Sequence, residues 1–300
     1  MLETLKTFVL EKTQLAEAKV CRIGGGFYAD VYKFDFKSQE PQIIKVYKSR
    51  DIMKKEVLQI QLLSKHSLFP MPEALWTHSA DERFSYDILA MNCLEGENGG
   101  NAFYLNPSKR RMLAEQVVNG LLAFHSVHNH NGFGQIDSNT YYRTFNEYYK
   151  EKAIDILNMA NILHNNNRIS DYILNIVKEA VNSFDKIFYL PITESSLIHG
   201  DYNMWNVMID KKSSKVTAII DPCGCMWADS EYDLYQLNNA NGKHLKLFET
   251  YAKKKPLSAN CYQKMAFYEL FTEIEHYHNS GYPVIQKLIK KQADNLKTYL

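Results

Sequence analysis

Three oxygen-bearing side chains, Asp201, Asn206 and Asp221, lie at the edges of short apolar runs in one segment of the chain. Asp201 precedes Asn206 by five residues, and Asp221 follows the β-branched run VTAII after a polar turn. Two carboxylates and one amide oxygen are hard donors that suit Mg²⁺, which takes its other ligands from water and phosphate. The spacing is typical of phosphoryl transfer, in which Asp201 takes the proton of an acceptor hydroxyl while Asn206 and Asp221 hold the metal.

Each of these residues also has an interpretation without catalysis. Aspartate and asparagine are common in turns and at helix starts, because their side chains hydrogen-bond to nearby backbone groups. Any one of the three alone would favour turn chemistry. The order of all three, with a predicted hairpin between the last two, favours a catalytic loop followed by a metal loop.

A lysine in the first third of the chain needs an anionic partner. The alternating segment QIIKVY predicts a strand with Lys45 among apolar neighbours, where an unpaired ammonium would be costly. Residues 51–64 then predict an amphipathic helix with Asp51 as its N-cap and Glu56 inside it. Lys45 and Glu56 fit an ion pair that positions nucleotide phosphates. The alternative is a lysine that extends to solvent beside an unrelated glutamate. Glu40, Lys48 and Lys54 are the competing choices for the members of this pair.

Three consecutive glycines, Gly24, Gly25 and Gly26, stand between two strand-like segments. Glycines let the backbone approach a phosphate without a Cβ in the way, so these residues are candidates for nucleotide binding. The stretch has neither the Gly-Lys-Ser/Thr of a P-loop nor the full GxGxxG spacing. Taken alone, it is equally consistent with a plain β-turn.

A strand that ends in a polar connector is a candidate site for the nucleotide base. Residues 86–93 predict a strand, and residues 96–100 form a glycine-rich linker. We expect the Asn92 carbonyl and the Leu94 amide to hydrogen-bond adenine, with Met91 behind the ring. An ordinary core strand is the alternative.

The remaining pattern predicts an α+β fold with two lobes. Residues 1–95 would form a small β-rich lobe for the nucleotide, and residues 96–300 a larger, mostly helical lobe with the catalytic and metal loops and the acceptor site. Near the end of a long helix, His125 is expected to be a capping or helix-dipole partner, and Asp233 to cap a helix or brace the catalytic loop. The helical segments are predicted over residues 1–18, 107–126, 140–190 and from 232 to the end.

The composition of the chain limits which classes of partner the protein can bind. A net charge of +1 gives no electrostatic footprint for nucleic acid or an anionic membrane. The first residues lack the apolar core of a signal peptide, and no run of residues is long and apolar enough to span a bilayer. Five scattered cysteines favour a reducing cytoplasm, and Cys223 and Cys225 are expected to be loop packing instead of a metal site. The oligomeric state is not indicated by any pattern.

With these motifs in hand, the chain resembles the fructosamine kinase family, within the aminoglycoside phosphotransferase and choline kinase group. The resemblance implies a protein-kinase-like two-lobed fold, ATP and Mg²⁺ as cofactors, and transfer of the γ-phosphate to an alcohol group. The matching segments are the loop near Gly24, Lys45 in its strand, LAMNCLEG, LLAFHS before Gly132-Phe133-Gly134, HGDYNMWN, IIDP, and the tail segments ADSEYDLYQL, LFETYAKKKP and YELFTEIEHYHNSGY.

The chain departs from that family near the presumed acceptor. The family usually has HGDLWSGN, whereas this chain has Asn203 where the tryptophan stands and Trp205 just before the metal-binding asparagine. Glu269, Glu273 and Glu275 stand where the family more often has amides or aromatics.

These acids bear on the choice of acceptor. Glu269 and Glu273 share a helix face and could attract an aminated sugar, or they could be a solvated surface. Trp205 and Trp227 could stack on a sugar ring or simply pack in their loops. A ketosamine such as a fructosamine or ribulosamine, free or linked to an amino acid or protein, is the first choice of acceptor.

Two alternatives stay open from the sequence. An aminoglycoside or a choline-like amino alcohol is the second choice of acceptor. A catalytically silent nucleotide-binding protein of the same fold would be expected to lose one of its four key residues, but Lys45, Asp201, Asn206 and Asp221 are all present.

Overall fold

The first third of the chain forms an antiparallel sheet flanked by two helices in the computed structural model, which describes residues 2–300. The elements in chain order are α1 (Leu2–Thr13), β1 (Ala18–Gly25), β2 (Ala29–Phe36), β3 (Gln42–Tyr47), α2 (Ile52–Ser64), β4 (Ala74–His78) and β5 (Ile88–Asn92). The five strands lie in the order β1-β2-β3-β5-β4.

Alternation along β3 decides which helix each of its side chains meets. Ile44 and Val46 join the apolar cluster beneath α1. Tyr47 belongs to the cluster on the opposite face, where α2 packs. Because successive side chains of a strand point to opposite faces, Lys45 lies on the same side as Tyr47 and α2. The strand period therefore brings the lysine to the helix that follows it.

The rest of the chain is a larger lobe of helices with two small sheets. The strands are β6 (Glu97–Asn98), β7 (Gly134–Gln135), β8 (Ser196–Ile198), β9 (Val207–Ile209), β10 (Val216–Ile219) and β11 (Met226–Ala228). They form two sheets, with the strand orders β10-β9-β6 and β7-β11-β8. The helices are α3 (Pro107–His125), α4 (Phe145–Asn165), α5 (Asp171–Asn182), α6 (Phe184–Ile187), α7 (Gly242–Leu245), α8 (Leu247–Lys254), α9 (Cys261–Ser280) and α10 (Pro283–Lys297).

This architecture confirms the predicted α+β, protein-kinase-like fold with a β-rich lobe and a helical lobe. The predicted boundary at residues 95 and 96 falls in the loop between β5 and β6. Within residues 2–300, no helix combines the length and the hydropathy needed to cross a bilayer.

Two local predictions were wrong. The first helix ends at Thr13 instead of residue 18, because Gln14 adopts a left-handed φ of 59°. Asp51 occupies the N-cap position of α2 but has φ 69° and makes no side-chain cap bond, whereas capping requires an extended backbone. The segment predicted to be helical from residue 232 begins as a 3-10 helix, Ser230–Asn238.

A buried ion cluster joins this 3-10 helix to α9. Lys264 Nζ lies 2.6 Å from Asp229 Oδ2 and 2.8 Å from Glu231 Oε2. Tyr268 donates to the same oxygen of Asp229, and Ser258 donates to both oxygens of Glu231. The ammonium is thus held between two carboxylates in a site closed to water, which fixes the segment after the metal loop against the longest C-terminal helix.

We expect Lys264→Met to lower the free energy of unfolding by about 3–5 kcal/mol, because it leaves two buried carboxylates without a cation. Urea unfolding measures this change. The matched control is Lys150→Met, which removes an exposed pair with Asp185 and should change stability little. Equal unfolding midpoints for the two variants would show that the cluster does not stabilise the lobe.

Candidate active site

Lys45 joins the two lobes. Its Nζ lies 2.5 Å from Glu56 Oε1 in α2 and 2.5 Å from Asp221 Oδ1 in the other lobe. Tyr47 donates to the second oxygen of Glu56 at 2.7 Å. Burial lowers the pKa of Lys45, but the two carboxylates outweigh it and hold the pKa above its ordinary value. The predicted Lys45–Glu56 pair is present, and Asp221 is an additional partner.

The carboxylate of Asp201 is held by two amides. Asn203 Nδ2 donates to Asp201 Oδ1 at 2.6 Å, and Asn206 Nδ2 donates to Oδ2 at 2.8 Å. Burial and the neighbouring charge of Asp221 raise the pKa of Asp201 to about 8, although both amides act in the opposite direction. The two amides fix the orientation of the carboxylate, which is what proton transfer to it requires.

Backbone contacts bring the second aspartate to the same place. Ile220 N donates to the carbonyl of Asn206 at 2.9 Å, so Asp221 follows directly beside that residue. Asp221 has φ 57°, a left-handed conformation that aspartate tolerates better than most residues. Gly200 has φ 83°, and a Cβ there would collide with the carbonyl of Cys223. Only glycine permits this close approach of the catalytic and metal loops.

The donor set that remains fits a magnesium ion. Within residues 2–300, no hydrogen bond is donated to Asn206 Oδ1 or to Asp221 Oδ2. The Asp221 side chain is about half exposed, at 51%. Residues 2–300 contain no group of three His, Cys, Asp or Glu side chains arranged for a metal. A set of one carboxylate and one amide suits an ion that takes its other ligands from phosphate and water.

A buried aspartate braces the catalytic loop. Asp233 accepts hydrogen bonds from His199 N at 2.9 Å and Gly200 N at 2.8 Å. The ring of His125 completes the set, with Nε2 3.2 Å from Asp233 Oδ2 and Nδ1 2.8 Å from the Tyr251 hydroxyl. Of its two predicted roles, Asp233 therefore has the bracing one. His125 does not cap its helix, because its ring turns inward to this network.

The glycine segment forms a hairpin that reaches from the β-rich lobe to the helical lobe. Gly24 and Gly25 end β1, and Gly26 N donates to Ala29 O at 2.9 Å in the turn. The tip beyond them packs on the helical lobe: the Phe27 ring lies 5.2 Å from Tyr282 and 6.0 Å from His276. The tip of the hairpin thus contacts the helical lobe.

The predicted base-binding residues lie at the end of β5. Met91 is buried in the cluster that faces α2, and it pairs with Ile43. Asn92 is the last residue of the strand, and its Oδ1 accepts from Glu73 N at 2.8 Å. Leu94 follows in the connector between the lobes. Their contact with adenine stays a prediction.

A cavity of about 250 Å³ opens beside β11, the strand that follows the metal loop: the hydroxyl of Tyr148 in its wall lies 3.6 Å from Met226 Sδ. At the hairpin tip, burial raises the pKa of the Tyr28 hydroxyl, and the charges of Cys223 and Glu275 act in the same direction. The cavity is lined by Tyr142, Tyr148, Glu151, Lys152, Asp155, Ile156, Met159 and Glu275.

The four residues that the sequence suggested for acceptor contact do not lie together. Trp205 is half exposed and lies against Gly100, while Trp227 pairs with Leu197 inside a sheet. Glu269 accepts from Gln292 of α10 at 2.6 Å, and Glu273 accepts no hydrogen bond within residues 2–300. None of the four lines the cavity. Their contact with an acceptor stays a prediction.

The fold and this arrangement of side chains define a kinase-like phosphotransferase. Lys45 of a strand pairs with Glu56 of a helix, and the other lobe contributes the carboxylate of Asp201 together with Asn206 and Asp221, whose oxygens suit a metal ion. The model of the phosphotransferase enzyme family (APH) matches residues 19–244. The chain belongs to that family, and it is a phosphotransferase.

The chain is similar to several known proteins. The uncharacterised protein YcbJ of Escherichia coli (strain K12) is 22% identical over 220 residues, 73% of this chain and 73% of that protein. A candidate fructosamine-3-kinase from Haemophilus somnus 129PT has a TM-score of 0.72 and 13% identity, covering 99% of this chain and 97% of its own. The gentamicin complex of APH(2")-IIa has a TM-score of 0.69 and 13% identity, covering 98% and 95%. At 13% sequence identity, these two structures show that the fold is shared and no more.

Three residues with contacts at this site were missed from the sequence. Asn203 was noted only as a departure, although an asparagine two residues after an aspartate is well placed to hydrogen-bond it. Tyr28 and Lys152 gave no signal, because their neighbours at the cavity are far away in the chain.

Asp233→Asn should slow phosphoryl transfer, because its amide nitrogen cannot accept from the buried N–H groups of His199 and Gly200 that the carboxylate satisfies. We expect a loss of about 1–3 kcal/mol in stability and a fall in kcat that exceeds any change in nucleotide KM. Steady-state kinetics and thermal unfolding measure both. Asp171→Asn, at an exposed pair with His164, is the control. Unchanged kcat would mean that the brace is not needed for turnover.

Glu273→Gln should alter the pH dependence of stability. Burial, and then the charge of Glu269, raises the pKa of Glu273 to about 7 from an ordinary value of 4.5. The folded state therefore binds this proton more tightly than the unfolded chain, and it loses stability as pH rises toward 7. The variant should be more stable than the wild type by less than about 1 kcal/mol at pH 5 and by roughly 1–3 kcal/mol at pH 8.

Urea unfolding at both pH values checks this expectation. Glu249→Gln, at an exposed position on α8, is the control. A gain in stability that is the same at pH 5 and pH 8 would contradict the role of ionisation.

Proposed function

We propose that this phosphotransferase transfers the γ-phosphoryl group of ATP to a hydroxyl of an aminated sugar, with a ketosamine such as a fructosamine as the first choice. The observation that supports it is the convergence of Lys45, Asp201, Asn206 and Asp221 where the two lobes meet. Phosphoryl transfer needs positioning and neutralised charge more than covalent chemistry, and these residues supply both.

The nucleotide would lie between the lobes. Its base would meet Met91, Asn92 and Leu94, and its phosphates would lie under Gly24 to Gly26. Lys45 would exchange its contact with Asp221 for the phosphates while it keeps Glu56. This arrangement makes residues 1–95 the nucleotide lobe and residues 96–300 the catalytic and acceptor lobe.

Asp201 would take the proton of the acceptor hydroxyl. Its carboxylate is fixed by Asn203 and Asn206, so a hydroxyl hydrogen-bonded to it would be held in one direction. Mg²⁺ bound by Asn206 and Asp221 would supply positive charge at the oxygens of the transferred phosphoryl group. The raised pKa of Asp201 reflects burial and the charge of Asp221, and a cation at Asp221 would oppose the second cause.

The cavity beside β11 supports an amine in the acceptor. Its wall holds three carboxylates, of Glu151, Asp155 and Glu275, against one ammonium, of Lys152, so two negative charges remain. Such a wall favours a cationic ligand. Glu269, Glu273, Trp205 and Trp227 are further candidates for acceptor contact. The structural similarity to a candidate fructosamine-3-kinase supports the choice of a ketosamine.

An aminoglycoside is the second candidate acceptor. The gentamicin complex of APH(2")-IIa has the same fold as this chain over nearly its full length, and a negative cavity would also suit a polyamine. A catalytically silent protein is disfavoured, because all four key side chains are present and in contact with one another or with neighbouring loops. We place the reaction in the cytoplasm, since the five cysteines are free.

A screen of purified protein for magnesium-dependent ADP release tests this function. Fructosamines, aminoglycosides and choline would each be offered with ATP and, in parallel, with GTP. Release that depends on a ketosamine supports the proposal. ADP release with an aminoglycoside alone would favour the second candidate acceptor. Absence of ADP release with every acceptor would favour the catalytically silent protein.

Asp201→Asn should abolish turnover and leave nucleotide affinity nearly unchanged, because the amide cannot accept the hydroxyl proton but keeps the size of the side chain. ADP release measures the first effect, and calorimetry with ADP and Mg²⁺ measures the second. An equal loss of nucleotide binding would contradict the role of Asp201 as the base.

A further inference from the structure

The helical lobe concentrates basic side chains in three segments of the chain. Residues 96–116, 207–217 and 239–255 carry eleven lysines and arginines against four acids. The whole chain has a net charge of +1, so the rest of it is acidic in sum. The near-neutral total therefore hides a strongly basic part of the molecule.

Hydrogen bonds place these three segments side by side around α3. Lys109 Nζ of α3 donates to the carbonyl of Lys212, in the turn between β9 and β10, at 3.0 Å. On the other flank of α3, Arg110 Nη1 lies 3.0 Å from His244 Nε2 of α7, which α8 follows directly. The turn, the first half of α3 and the α7–α8 segment thus form one surface, which we call the basic face.

The stability of the fold does not account for this concentration of cations. The first turn of α3 holds Lys109 and Arg110 and no acid, although the start of a helix favours negative charge. Like charges placed side by side repel one another and destabilise the compact state. Within residues 2–300, only Lys211 and Lys254 of the eleven cations form an ion pair with a carboxylate. The basic face therefore has charge that an external anion can neutralise.

Exposed apolar side chains lie between the two basic flanks. Phe103 and Tyr104, in the loop before α3, are 60% and 52% exposed, and Met112 on α3 is 37% exposed. Lys211 Nζ lies 5.9 Å from the centre of the Tyr104 ring, and the His244 ring lies 5.7 Å from the Phe103 ring. The apolar loop is thus bordered by the β9–β10 turn on one side and by α7 on the other.

We propose that the basic face binds the surface of an anionic phospholipid bilayer. Its lysines would lie at the level of the lipid phosphates, and Phe103, Tyr104 and Met112 would enter the boundary between head groups and acyl chains. Nucleic acid is the other large polyanion, but its recognition favours arginine, and nine of the eleven cations are lysines. The cytoplasmic leaflet is the anionic one, which agrees with the compartment proposed above.

Flotation with lipid vesicles tests this proposal on the full chain. One set of vesicles is phosphatidylcholine alone, and the other contains about one-quarter phosphatidylglycerol. We expect binding to the anionic vesicles only. Most of that binding should be lost when the salt concentration rises from about 0.1 M to about 1 M, because the screening length falls from about 10 Å to about 3 Å. A single-stranded oligouridylate is the competing ligand.

Charge reversal assigns the binding to the basic face. Arg111→Glu with Lys212→Glu changes two exposed side chains. Each basic side chain near an anionic surface contributes roughly fivefold to the partition, so the loss of two predicts a fall of about thirtyfold, and the reversed charges add to it. Lys178→Glu with Lys186→Glu, at exposed positions of α5 and α6, changes the total charge equally and is the matched control.

A third variant tests the apolar contact without a change in charge. Phe103→Ser should lower the partition into anionic vesicles by about three- to tenfold, for a ring that is roughly half buried in the bilayer boundary. Tyr189→Ser, at a side chain of similar exposure after α6, is its control. Thermal unfolding shows whether each variant keeps the stability of the wild type.

Each outcome decides for or against the bilayer. Binding to both kinds of vesicle alike, or to neither, would overturn the proposal. Binding of the oligouridylate without binding to anionic vesicles would replace the bilayer with nucleic acid. An equal fall in the Lys178 and Lys186 control would overturn the assignment to the basic face. None of these measurements uses ATP or an acceptor, so the proposed phosphoryl transfer stands or falls separately.

Discussion

The ammonium of Lys45 is the group on which the relation of the two lobes depends. Its side chain is 9% exposed, so it has to be held by anions, and those anions come from different lobes. Glu56 is brought to it by the period of β3 and the helix that follows, and Asp221 is brought to it by a loop 176 residues later. Removing either carboxylate would leave a buried charge partly paired, which costs several kcal/mol.

Behind this contact, the polar residues of the helical lobe hold one another in position through short bonds to the backbone. Gly200 allows the catalytic loop to touch the metal loop, and Asp233 satisfies the N–H groups that this sharp turn leaves without partners. Asn203 and Asn206 then fix the carboxylate of Asp201. The carboxylates and backbone N–H groups of these loops are thus buried and hydrogen-bonded, and such networks favour one arrangement of the loops over others.

Much of this was predictable from the sequence because the signals are local. The alternation in QIIKVY placed Lys45 on the α2 side, and the spacing of Asp201, Asn206 and Asp221 predicted a loop followed by a hairpin. The contact between His125 and Asp233 spans 108 residues, and that between Lys152 and Glu275 spans 123. Such pairs depend on how α3, α4 and α9 pack, which helical periodicity does not specify. Asp51 was mispredicted because residue type indicates a cap, while φ decides it.

The contact of Phe27 with Tyr282 links the glycine hairpin of the β-rich lobe to the last helix of the helical lobe. Tyr282 directly precedes α10, so the start of the C-terminal helix takes part in holding the glycine hairpin. Any change that shifts α10 would reach the glycines through two aromatic rings. Residues more than 250 positions apart in the sequence are therefore neighbours in space.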